Sequence, residues 1–129
     1  MKYFDFKDCV DPHELTEVSP WILVLIADAS MWCQKNDCVL IITRMIDDPF
    51  PGVSVSDTHH GRALDQSLKG WSEEKITAFK QYMTAKWGVM GAISRDTGTR
   101  TIVKDHDVGL GRHLHWQVRP DFSDFCIKS

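Results

Sequence analysis

The chain has 129 residues, of which 43% are hydrophobic, with five tryptophans and six phenylalanines. That is enough for one domain with a sizeable core. Fifteen basic residues stand against eighteen acidic ones, a net charge of −3, and no basic block appears. This argues against a nucleic-acid partner and leaves the charges as a mixed, solvated surface.

Residues 1–12 read as an irregular arm. Their first eight residues contain no apolar h-region, so no cleavable signal peptide is expected and synthesis is placed in a cytoplasm. Ser19 is a good N-cap and Pro20 suits the first helical turn, which predicts a helix over residues 20–35. The run 21–27 is strongly apolar but far shorter than the ~20 residues that span a bilayer. It is expected to be a core helix buried on several sides, with no membrane insertion. Residues 39–43, Val-Leu-Ile-Ile-Thr, read as a buried strand. Two prolines and a glycine make residues 47–58 a long loop.

Residues 62–67 are expected to form a second strand. Ser72 caps a helix reaching Trp87, with Glu73 and Glu74 in its first turn and Gly88 past its end. Residues 89–94 and 101–104 suggest two strands of a hairpin, joined through Gly98. Residues 113–118 form the last strand, entered through a turn at Gly109 and Gly111. The expected architecture is a single α+β domain with one antiparallel sheet flanked by helices. The four cysteines, Cys9, Cys33, Cys38 and Cys126, contain no Cys-x-x-Cys pair and read as reduced, partly buried thiols.

Two segments about fifty residues apart carry the chemistry. One is Thr58-His59-His60-Gly61-Arg62-Ala63-Leu64-Asp65, the other His113-Leu114-His115. Imidazole and carboxylate are ligand types that suit zinc, and two imidazoles with one carboxylate leave a fourth position open for water. In a strand, His113 and His115 share a face about 7 Å apart, so one is able to hold a metal while the other faces substrate. Gly61 and Ala63 are small enough for close backbone approach. Ser54 and Ser56 lie near histidines, but no glycine-flanked nucleophile elbow supports a serine hydrolase.

His59, Gly61, Arg62, Ala63 and Asp65 resemble the His…Gly-x-Ala-x-Asp signature of D-alanyl-D-alanine and L-alanyl-D-glutamate metallopeptidases. His113-x-His115 is similar to the His-x-His pair of the wider superfamily that includes lysostaphin-type enzymes and hedgehog. The resemblance covers residues 39–118 and is nearest to the small members encoded by phages and prophages. In the family the ligand histidine stands seven residues before the aspartate, a slot held here by Thr58. His59 is taken as the ligand, with His60 as the alternative. Carboxypeptidase relatives place an acidic general base where this chain has Arg112, so the resemblance gives that role to His113.

The resemblance implies a zinc site on the open face of the sheet, held by His59, Asp65 and His115. Zn2+ then lowers the pKa of a water towards ~7, and His113 serves as general base or oxyanion partner. Arg44, at the end of the first predicted strand, would anchor a substrate carboxylate. His106 would line the cleft or orient a ligand, while Trp71, Trp87 and Trp116 read as core or cleft wall. The expected activity is hydrolysis of peptidoglycan stem peptides or cross-links by a monomer acting at the cell wall or periplasm. The alternative is a catalytically weak or inactive zinc-binding module of a phage or prophage particle that recognises wall peptides. Either would leave the cell through a holin, a virion or lysis.

Overall fold

The computed structural model describes residues 3–7, 18–45, 61–94, 97–107 and 111–119. Its elements in chain order are β1 (Phe4–Phe6), α1 (Pro20–Lys35), β2 (Leu40–Arg44), β3 (Ala63–Ser67), α2 (Glu73–Trp87), a 3₁₀ turn (Gly88–Met90), β4 (Ala92–Ile93), β5 (Arg100–Thr101), β6 (Val103–His106) and β7 (His113–Gln117). Five strands make the main sheet in the order β1-β2-β3-β7-β6, and β4 pairs with β5 in a separate two-stranded sheet.

The α+β class is as expected, but the sheet is mixed, not antiparallel throughout. β1 runs parallel to β2, with Phe4 opposite Leu40 and Phe6 opposite Ile42. Parallel neighbours need a crossover, and α1 lies between them in the chain. The residues read as an irregular arm therefore include an edge strand. Its alternation, Phe-Asp-Phe, is only three residues long.

The predicted hairpin also divides differently. Val89 and Met90 lie in the 3₁₀ turn, and only Ala92 and Ile93 pair with Thr101 and Arg100. After Ile102 the chain leaves β4 and pairs with β7 as far as His106. Gly91 sits at this junction, bridged to Val118. A Cβ there would lie 2.5 Å from the Thr101 carbonyl carbon, so the crossing admits only glycine.

Both helices begin as their caps dictate. Ser19 Oγ accepts from the Trp21 amide and Ser72 Oγ from the Lys75 amide. α1 buries Ile22, Leu25, Ile26, Ala29 and Cys33, the spacing of a single helical face. Leu23, Val24 and Met31 are exposed, so the expectation of burial on several sides does not hold among the described residues. α2 buries Ile76, Phe79 and Met83. These faces meet Leu40, Ile42, Leu64, Leu114 and Trp116 of the sheet in one core. Phe79 lies at its centre, with ring centroids 5.2 Å from Trp32, 5.3 Å from Trp71 and 6.0 Å from Trp116. Trp71 and Trp116 are thus core, as expected, and each indole N–H is satisfied, by the Val39 carbonyl and by Gln66 Oε1.

Cys33 and Cys38 are buried and reduced. Burial pushes both thiols above the ordinary range, which fits inert core residues. Cys9 and Cys126 lie outside the described residues.

Candidate functional site

Strand alternation decides which side chains share the face away from the helices. On β3 and β7 the core side takes Leu64, Gln66, Leu114 and Trp116. The opposite side takes Asp65, His113 and His115. Antiparallel register sets Asp65 directly opposite His115, and His115 opposite Lys104. His113 pairs with His106 across the β6–β7 boundary.

Arg44 joins this row through an irregularity in the sheet. Ile42 is paired with Gln66, but the next pair is Arg44 with Asp65, so Thr43 is an extra residue on β2. Simple alternation would have put Arg44 on the core side with Leu40 and Ile42. The bulge turns it onto Asp65's face instead. Thr43 Oγ1 donates to the Asp65 carbonyl at 3.2 Å, tying the bulge to β3.

Asp65 is the hub. His115 Nδ1 lies 2.8 Å from Asp65 Oδ1, His113 Nε2 lies 3.6 Å from the same oxygen, and Arg44 Nη1 lies 3.8 Å from Oδ2. Arg44, Asp65 and His115 are each only 7% exposed, so the cluster sits in a low-dielectric setting. Because a carboxylate only accepts, His115 Nδ1 is the donor of this bond. His113 Nδ1 lies 2.9 Å from the Gly111 carbonyl. A carbonyl also only accepts, so neutral His113 presents its Nε2 lone pair towards the cluster.

His106 closes the group, its ring centroid 5.2 Å from His113 and 5.8 Å from His115. Burial, helped by the Lys104 cation, holds its pKa below the ordinary imidazole range, so it is neutral at physiological pH. It is a strand residue in the cluster and not a loop residue beside it.

Arg112, at the position where the resembled carboxypeptidases carry an acid, points elsewhere. Its guanidinium is held by Glu73 at the start of α2 and by Asp105 of β6. Both carboxyls are held below their usual range, chiefly by their hydrogen bonds from Arg112. Sequence reasoning missed this clamp, whose acidic members Asp105 and Glu73 lie on two different elements, β6 and the start of α2.

The structure thus brings Arg44, Asp65, His106, His113 and His115 together. His59 and His60 lie outside the described residues. Among the described residues, no group of three or more His, Cys, Asp or Glu side chains is arranged to hold a metal ion. The imidazole and carboxylate donors fit zinc in kind. Asp65 and His115 supply two such groups side by side. No described helix is long and apolar enough to cross a membrane. Comparison with known protein families, with curated proteins and with solved structures finds no match.

Proposed function

We propose that this chain is a zinc-dependent peptidase that cleaves peptide bonds in bacterial peptidoglycan stem peptides or cross-links. The observation that carries the reading is the Asp65 hub: one buried carboxylate with His115, His113 and Arg44 gathered around it on the sheet face opposite α1 and α2. It joins the two sequence segments that resemble the metallopeptidase signature.

His59, Asp65 and His115 would hold the ion. When bound, zinc supplies Lewis acidity to a carbonyl and brings the pKa of a water towards ~7. The rest falls to side chains. His113 offers its Nε2 lone pair to take the proton of the attacking water and returns it to the leaving amine. The Gly111 carbonyl keeps that lone pair available by holding the opposite nitrogen protonated. Arg44 offers a planar guanidinium beside the cluster, suited to a peptide carboxylate. His106, neutral and against both other rings, limits how far either can rotate.

The test is metal analysis of the purified chain, paired with release of new amino termini from purified cell wall. About one zinc per chain with metal-dependent cleavage is expected. No uptake of zinc, nickel or cobalt on reconstitution would overturn the metallopeptidase reading. Stoichiometric zinc with wall binding but no cleavage would instead establish the recognition module.

A further inference from the structure

We infer that Arg112 is a positioning residue for His113: the Glu73–Arg112–Asp105 clamp fixes the Gly111 carbonyl that selects the His113 tautomer. The inference deepens the proposed function and rests on it only for the consequence for turnover.

Three observations carry it. The guanidinium of Arg112 is held along two edges, Nε and Nη2 on Asp105 at 3.0 and 2.7 Å, and both terminal nitrogens on the two oxygens of Glu73. A single exposed ion pair contributes little, but a planar fork held at both edges has one geometry. Second, the clamp ties together three elements, the start of α2, β6 and the entry to β7, so it fixes where β7 begins. Third, the residue before Arg112 is Gly111, at φ +99°, a backbone conformation that side-chain-bearing residues rarely adopt. Its carbonyl oxygen lies 2.9 Å from His113 Nδ1.

Alternation places Arg112 on the helix side of β7 and His113 on the other. The clamp therefore touches neither the cluster nor anything bound in it. Its backbone link to His113 is one peptide carbonyl, and Asp105 adds a through-space charge that Glu73→Gln leaves in place. A neutral imidazole has two tautomers, and only the one protonated on Nδ1 presents an Nε2 lone pair to the face holding Asp65. Freed from the clamp, the 111–112 backbone relaxes and the carbonyl no longer opposes the other tautomer.

The experiment is long-range ¹H–¹⁵N NMR of the full chain labelled at histidine nitrogens, recorded above the imidazole titration range. His113 is assigned by the signals that vanish in His113→Gln. In the wild type, His113 should be protonated on Nδ1. Arg112→Met should move it to a mixture or to the Nε2-protonated form. Glu73→Gln, at the most exposed member, should move it part-way, and it decides the matter if Arg112→Met does not fold. Cleavage of cell-wall peptide should fall about 10- to 100-fold in Arg112→Met, the usual effect of losing an orienting partner, at unchanged zinc content. A wild-type His113 protonated on Nε2, or variants that keep the Nδ1 proton, would overturn the inference. A tautomer that shifts as expected in a protein that cleaves nothing would uphold the clamp and overturn the peptidase reading instead.

Discussion

Asp65 accepts His115 on one oxygen and faces Arg44 with the other, so its removal leaves a donor and a cation in a site that is 7% exposed at each of the three residues. Asp65→Ala and His115→Ala should each lose zinc, read by elemental analysis after dialysis. His113→Ala should keep its zinc and lose turnover by about 10²- to 10⁴-fold, the range for a lost acid–base group. Full metal occupancy in Asp65→Ala or His115→Ala would show the ligand assignment to be wrong, and zinc loss in His113→Ala would make that residue a ligand. Of His59→Ala and His60→Ala, only His59→Ala should lose metal. The pairing of Asp65 with the His-x-His segment was legible because two-residue alternation fixes a shared face once the segment is a strand. Arg44 was legible as a candidate, but not its route to the site. That route is the extra residue Thr43, and a bulge belongs to the pairing of two strands, which one strand's sequence does not encode.

Between the helices, Asp28 of α1 accepts Tyr82, Lys86 and Trp87 of α2, at 2.9, 3.0 and 2.8 Å. Burial alone would raise this carboxyl, but the three donors outweigh it and hold its pKa below the ordinary range. A carboxylate depressed in the folded state stabilises above its unfolded pKa and loses that contribution as pH falls through the folded value. Asp28→Asn should therefore lower stability at neutral pH and flatten its decline in acid, measured by urea melts across pH. Asp28→Ala should cost about 1–3 kcal/mol, the effect of leaving partly buried donors unmatched. An unchanged pH profile in Asp28→Asn would contradict the charge-based account. Helix positions were legible because caps and apolar spacing are local signals. β1 and the divided path of residues 100–106 were not. Three residues carry too little periodicity to register, and the turn away from β4 at Ile102 is set by β7, a partner that lies later in the chain.

Across the whole molecule, the aromatic core and the polar cluster occupy opposite faces of the same strands, so their stabilities are separable. Phe79 is fully buried and touches tryptophans from α1, from the segment before α2 and from β7. Phe79→Ala should cost about 3–5 kcal/mol through lost transfer energy and a residual cavity, without changing the zinc content of the fraction that remains folded. The proposed zinc would act from the other face. Asp65 and His115 belong to β3 and β7, neighbours at the middle of the main sheet, and are far apart in an unfolded chain. An ion held by both binds the folded state and has little purchase on the unfolded one, so it stabilises by mass action. At a free zinc concentration 100 times its Kd, the gain is about 2.7 kcal/mol. Thermal melts of the full chain should thus shift upward with the logarithm of zinc concentration, and chelation should return them to the metal-free value. The shift should survive in Phe79→Ala, which melts lower from both starting points, and vanish in Asp65→Ala. A melting temperature indifferent to zinc in the wild type, or one that still rises in Asp65→Ala, would remove the metal from this face of the sheet. The cluster around Asp65 would then stand as a hydrogen-bonded polar network without an ion.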